Sequence, residues 1–295
     1  MTRVLTDIET DAVGFSPYIK HYMFWKMLKY ELERRNIFYF FLPHTKDIWA
    51  RDYMPIQTNQ ELVLYNYEPD YLLTTPKLAR YITNPQKVCQ DLASCPIKKL
   101  NLVLDGGNVI KTPHIVIMTE KVLCENCTLS PNEIKSMIKN ALGADIILIP
   151  WDMNEKYGHS DGMVRYLHDN TVLINNYCDY DKVFRAKLIR TLEPYFDIKE
   201  LTYGKVFHKL NWAYINYLQI GQVIFMPTLG YKEDYIAMQE LEWITNCEII
   251  PLYCRSLVEQ GGGLNCISWN VNIGAMLCHP QCDSKQVPEL QLTID

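Results

Sequence analysis

Short apolar runs recur along this chain at intervals of roughly 50 residues, each preceded by a helix-like stretch and followed by a polar loop. The first run, Ile37-Phe38-Tyr39-Phe40-Phe41-Leu42, ends at Pro43. Before it, Pro17 to Arg35 places Tyr18, Tyr22, Trp25, Leu28 and Leu32 near the spacing of one helix face. A hairpin follows from Met54 to Tyr67, turning near Asn59-Gln60. The second unit has a helix over Pro76 to Leu92, a strand over Leu100 to Leu104, and a hairpin from Asn108 to Thr119 that turns at Thr112-Pro113. In the third, Ser130-Pro131-Asn132-Glu133 reads as a helix start, with a capping serine, proline at the first helical position and a glutamate able to reach back to the cap. Its strand, Asp145 to Ile149, is stopped by Pro150, and its hairpin turns at Asp169-Asn170. The fourth unit has a helix over Lys182 to Leu192, a strand over Ile198 to Thr202 and a hairpin from Tyr214 to Met226, turning near Ile220-Gly221. The fifth has a helix over Lys232 to Thr245 and a strand Glu248-Ile249-Ile250 stopped by Pro251, then a glycine run leading to Cys266.

The units share this grammar and almost no sequence. An irregular α/β domain with even spacing is the plain alternative. Five units predict a closed α/β ring, with the strands that precede the loops lining its axis and the loops gathered at one end. No Pro/Gly/Ser linker divides residues 1–295, so they are read as one domain.

The chain is 48% hydrophobic and 21% charged, with a net charge of -5, and has no basic stripe that would suit nucleic acid. No apolar run is long enough to span a bilayer, and Met1 to Asp11 lacks the apolar core of a signal peptide. A cytoplasmic location is therefore expected, with the ten cysteines reduced. A homo-oligomer is left open. The twenty tyrosines read first as packing.

The loops carry the candidate chemistry. They are Trp49-Ala50-Arg51-Asp52, Asp105-Gly106-Gly107-Asn108, Gly158-His159-Ser160-Asp161-Gly162, Tyr214-Ile215-Asn216-Tyr217 and Gly261-Gly262-Gly263-Leu264-Asn265-Cys266. Each is weak alone. A lone cysteine is more often a small buried hydrophobe than a nucleophile. Arg51-Asp52 could be a local ion pair, and Asp105 simple turn chemistry. Trp49 reads as core or pocket wall. Three consecutive glycines are more telling, because they answer a demand for positive φ or close approach. In an extended segment His159 and Asp161 would share a side, where the acid could hold the imidazole. Cys124-x-x-Cys127 and Cys278-x-x-x-Cys282 have metal-ligand spacing and would form a zinc site only if they met in space. Cys89, Cys95, Cys178, Cys247 and Cys254 have no useful spacing.

Taken in order, these loops, with Pro55, Pro227, Gly230 and Asp234, resemble the agmatine deiminase and Porphyromonas-type peptidylarginine deiminase family of the guanidine-modifying, or pentein, superfamily. The resemblance runs from Trp49 to Cys266. It implies a five-bladed α/β propeller and a hydrolase that needs neither metal nor cofactor, acting on a small guanidine such as agmatine. It implies Cys266 as nucleophile, His159 as general acid/base, and Asp52 and Asp161 as the carboxylates that grip the guanidinium. Trp49, Asp105, Asn216, Gly262 and Gly263 then fall at substrate-binding positions.

Several positions depart from the family pattern. Asn265 stands where histidine usually precedes the cysteine, Met54 where glycine is common, and Ser268-Trp269-Asn270 where threonine and glutamines are usual. These departures put the substrate tail in question more than the reaction. A peptidyl-arginine deiminase or an amidinotransferase on the same scaffold remains open. So do a cysteine-protease-like hydrolase and a non-catalytic binding module. Two carboxylates flanking the thiol should raise its pKa in the empty site, and a bound guanidinium should lower it.

Overall fold

The computed structural model describes residues 1–90, 95–153, 155–205 and 210–277. Its strands, in chain order, are β1 (Ala12–Phe15), β2 (Phe38–Phe41), β3 (Ile56–Gln57), β4 (Leu62–Asn66), β5 (Ile97–Val103), β6 (Ile110–Lys111), β7 (Ile115–Thr119), β8 (Asp145–Ile149), β9 (Val164–His168), β10 (Thr171–Ile174), β11 (Asp197–Glu200), β12 (Leu218–Ile220), β13 (Val223–Thr228), β14 (Glu248–Tyr253) and β15 (Ser268–Val271). They form five three-stranded sheets. Four of these are built from consecutive strands: an antiparallel hairpin, then a helical crossover, then a strand parallel to the hairpin's second strand. The fifth joins distant parts of the chain. Here β1 pairs in parallel with β2 and antiparallel with β15, Ala12 opposite Val271. Neither β1 nor β15 is evident from hydrophobic pattern, because each has only four residues and all of them are buried, so no alternation marks them.

The five-sheet arrangement predicted from the repeat is present, but the strands expected to line the axis lie on the outside. β2, β5, β8, β11 and β14 are partly exposed sheet edges. The largely buried strands are those that follow the loops, and neighbouring members of that set, β6 with β9 and β12 with β15, pack together. Each chemistry-bearing loop thus crosses from the rim of one sheet to the inner strand of the next.

Local chemistry explains most elements. Ser130 accepts from the Glu133 amide and Glu133 accepts from the Ser130 amide, starting the helix Pro131–Leu142. That helix ends at Gly143 with φ +68°, and it buries Ile134, Ile138, Ala141 and Leu142. The helix expected from Pro17 is instead a 3-10 turn, Pro17–His21, followed by a helix over Phe24–Arg34. The helix expected over Pro76 to Leu92 is split into Pro76–Ala79 and Pro85–Gln90, since Pro85 restarts it and Asn84 accepts from the Lys87 amide. The strand Glu248–Tyr253 runs through Pro251 rather than stopping there. It is an edge strand, where a missing N–H breaks no ladder bond.

Large side chains, including Tyr53, Tyr177, Tyr203, Tyr214 and Tyr217, are fully buried between sheets. Several of the buried hydroxyls find partners: Tyr214 donates to Asp234 Oδ1 at 2.7 Å, while Asp234 also accepts from the amides of Leu229, Gly230 and Tyr231. This knot anchors the turn that carries Asn216. No helix among the described residues is long and apolar enough to cross a membrane.

Candidate active site

The five loops converge. Cys266 is buried, and its Sγ lies 3.2 Å from Asn216 Oδ1 and 3.5 Å from Asp161 Oδ2. The glycine run makes that approach possible. Gly261 has φ +104°. A Cβ at Gly262 would fall 2.2 Å from a Trp49 ring carbon, and one at Gly263 would fall 2.6 Å from Asn216 Oδ1. Trp49 is therefore a wall packed on the cysteine loop, and both readings of the glycines hold. A Gly262→Ala substitution should destabilise the fold by about 1–3 kcal/mol through overpacking, read from urea unfolding; an unchanged midpoint would show that Trp49 is free to move.

His159 lies between two acids. Its Nε2 is 3.0 Å from Asp105 Oδ2, and its Nδ1 is 3.7 Å from Asp52 Oδ1. Gly107 donates its amide to Asp52 Oδ1, and a Cβ at Gly107 would strike both His159 and Asp52. The close acids of the histidine are thus Asp105 and Asp52, not its sequence neighbour Asp161. The segment is not extended: His159 precedes a 3-10 turn, Ser160–Gly162, which swings Asp161 toward the cysteine. There Asp161 Oδ2 accepts from Asn265 Nδ2 at 2.8 Å. Asn265, which departs from the family pattern, therefore fastens one carboxylate of the site.

Arg51 and Asp52 do not form a local pair. Arg51 turns away beneath the cysteine loop, where its Nη2 donates to Asn270 Oδ1, its Nε to the Asn265 carbonyl, and its amide to the Cys266 carbonyl.

Burial and crowded carboxylates shape the titration. Burial pushes the Cys266 thiol well above its usual range, and Asp161 and Asp52 push it further. Burial works against a charged His159, yet Asp52 and Asp105 outweigh it and raise the imidazole to about 10. Asp52 is held up at about 7 by burial, against the pull of His159 and with Asp105 and Asp161 adding to the rise. Asp105 is lowered despite burial, because His159 and Lys121 both hold its charge.

Several neighbours carry no signal in the sequence. Tyr71 donates to Asp52 Oδ2 at 3.4 Å, and its ring packs on Tyr157 and His159. Glu155 accepts from the amides of Tyr157 and His159. Lys121, buried at 2% exposure, bridges Asp105 Oδ2 at 2.8 Å and Glu125 Oε1 at 2.7 Å. Lys121 and Glu125 are spaced four apart and look like an ordinary solvated helix pair. A cleft of about 490 Å³ opens beside Gly261, lined among others by Glu155, Lys156, Tyr157, Trp212, Tyr231 and Arg255. Cys124 and Cys127 are exposed, and Cys278 and Cys282 lie outside the described residues. No cluster suited to holding a metal occurs among the described residues.

The family model for the Porphyromonas-type peptidyl-arginine deiminases matches residues 18–271. A Listeria monocytogenes protein that carries the name agmatine deiminase 1 is 22% identical over 228 residues, covering 63% of this chain and 62% of that protein. This chain thus matches only about three fifths of the length of such curated relatives. Among solved structures, a cysteine-to-serine variant of C. jejuni agmatine deiminase with substrate bound superposes with a TM-score of 0.73 at 18% identity, over 92% of this chain and 96% of that one. A dimethylarginine dimethylaminohydrolase adduct does so at 0.59 and 12%, over 89% and 100%. These likenesses establish the pentein fold, and with the match over most of its length this chain belongs to the Porphyromonas-type peptidyl-arginine deiminase family.

Proposed function

We propose that this protein hydrolytically deiminates a small guanidine, agmatine or a close relative, through a covalent adduct on Cys266. The observation that carries the proposal is the joint placement of a buried thiol against Asp161 and Asn216, and of a histidine between Asp52 and Asp105. Asp161 and Asp52 would receive the guanidinium N–H edges and fix its plane. With the cation seated, the Cys266 thiol loses its proton to solvent and the thiolate adds to the central carbon. Protonated His159 gives its proton to one nitrogen, the C–N bond breaks, and ammonia leaves. A thiouronium remains on sulfur. Neutral His159 then takes a proton from water, the resulting hydroxide adds to the carbon, and the C–S bond breaks. The added hydroxyl loses its proton to solvent as the carbonyl forms, the carbamoyl product departs and the thiolate returns.

Relatives that carry the name agmatine deiminase favour agmatine as substrate. One observation favours a second reading: the cleft beside Gly261 is roomy enough for a longer arginine compound, while its Lys156 and Arg255 are matched by Glu155 and Glu259, the last paired with Arg255 at 2.9 Å. A panel of agmatine, free arginine and an arginine peptide decides between them, with ammonia and carbamoyl product quantified for each. Equal yields of both products from agmatine, without an added amine, are expected. Turnover of the peptide alone would support the second reading, and a need for an amine acceptor would mean group transfer instead.

A further inference from the structure

We infer that Lys121 is a positioning residue for the proton-carrying histidine, holding the carboxylate of Asp105 in the orientation that His159 uses. The inference rests on the reading of His159 as acid and base.

Lys121 follows β7 and begins the short helix Lys121–Glu125. An ammonium at 2% exposure must recover a large desolvation cost. Three carboxylates do so: Asp105 Oδ2 at 2.8 Å, Glu125 Oε1 at 2.7 Å and Asp70 Oδ1 at 3.3 Å. The oxygen of Asp105 that Lys121 grips is the one 3.0 Å from His159 Nε2. The other oxygen, Oδ1, is buried with no hydrogen-bond partner among the described residues. Two cations on one oxygen fix how this carboxylate is turned.

Two further contacts tie Lys121 to the site. Its stem packs where a Cβ on Gly158 would sit, 2.9 Å from Lys121 Cδ, and Gly158 has φ +71° immediately before His159. Its ammonium also reaches Asp70, whose neighbour Tyr71 donates to Asp52. One side chain thus braces the backbone entering His159, the acid on its Nε2 and the turn over the acid on its Nδ1.

The groups facing His159 are Asp52, Asp105, Glu155, Tyr71 and Tyr157, with Lys121 and Glu125 behind Asp105. Removing the Lys121 charge leaves Asp105 to the imidazole alone, so His159 should keep its proton to higher pH. Neutralising Glu125 leaves the Lys121 charge less offset, so His159 should lose its proton at lower pH. Charge alone predicts these opposed movements, so the positioning role is read from the downfield signal of the His159 Nε2 proton, which the Asp105 contact shields from exchange. That signal should broaden away in Lys121→Met and persist in Lys121→Arg, and an unchanged signal in Lys121→Met would overturn the inference.

The test compares Lys121→Met, Lys121→Arg and Glu125→Gln with the native protein. The first readout is an NMR titration of the imidazole signals that disappear in His159→Gln, followed from pH 7 to 12. It needs no turnover. The midpoint should move up by about one unit in Lys121→Met and down by about half a unit in Glu125→Gln, and return near the native value in Lys121→Arg. The second readout is the pH profile of kcat/KM on the guanidine that the panel identifies. Lys121→Met should lose on the order of 30-fold in kcat with a displaced alkaline limb, partly restored by arginine. Lower activity with unmoved midpoints and limbs would overturn the inference. Should Lys121→Met fail to fold, Lys121→Gln takes its place for the Nε2 proton signal, and Glu125→Gln reads the charge coupling by the sign of its shift. If no guanidine is turned over, the proposed function fails while the NMR readouts still decide on Lys121.

Discussion

Replacing Cys266 by alanine is expected to lower guanidine turnover by on the order of 10⁴-fold or more, while the protein stays folded and still binds its substrate. The change removes one sulfur from a buried position and leaves both gripping carboxylates in place, with Asp161 still tied to Asn265. Among the described residues no second thiol stands in reserve: Cys254 is buried in the core, and Cys124 and Cys127 are on the surface. The substituted protein should bind the guanidine with near-native or somewhat weaker affinity, because the cation loses the thiolate it would have favoured while Asp161 and Asp52 stay in place to receive its N–H edges. Calorimetry with the unreacted substrate measures this directly. A variant that retains full turnover would remove the covalent mechanism, and one that loses binding as well would make Cys266 a structural residue.

The second large effect concerns the charge of the attacking reagent. Burial, Asp161 and Asp52 raise the thiol well above 9, so it is almost wholly protonated in the empty protein at pH 7.5. The sign follows from the charges: an acid beside more negative charge ionises less, and a cation placed between the carboxylates reverses this. Each unit by which the thiol pKa falls raises the thiolate fraction tenfold and is worth about 1.4 kcal/mol. A chloromethyl amidinium, which brings its own guanidinium-like charge, should therefore modify Cys266 roughly 100-fold faster than the neutral chloroacetamide of similar size. The neutral reagent should remain slow from pH 7 to pH 9. Mass spectrometry of the labelled peptide gives both rates. Equal rates would mean a thiolate already present without ligand, and the proposed dependence on bound cation would be wrong.

The sequence carried the order of the loops, because turn residues, glycines and capping patterns are local signals, while Cys266, His159, Asp52 and Asp161 are picked out only by the family resemblance of those loops taken together. Pairings set by three-dimensional packing were not legible. The extended-segment argument assigned His159 to Asp161, whereas the 3-10 turn at Ser160 gives it Asp105 and Asp52. Lys121 and Glu125 carry no mark of the site, because nothing local reports that a lysine is buried. The inside and outside of the ring were reversed for a related reason. The long apolar runs at β2 and β8 look like core strands, yet each covers its sheet's hairpin on one side and meets solvent on the other. The strands that follow the loops are mostly buried and short, with β3 and β6 only two residues and β12 three, too few to show a period.

The pairing of β1 with β15 fastens residues about 260 positions apart in the chain, Ala12 to Val271. Cys266 lies two residues before β15, and its carbonyl accepts from Arg51 near the other end. A ribosome making this chain would have finished Asp52, Asp105, His159 and Asp161 before it added Cys266, the proposed nucleophile. Cys266 meets Asp161 across 105 residues, the kind of long-range contact that forms late. A partly made chain therefore holds the site residues apart, so an assay of guanidine turnover would also report that the sheets carrying them have assembled.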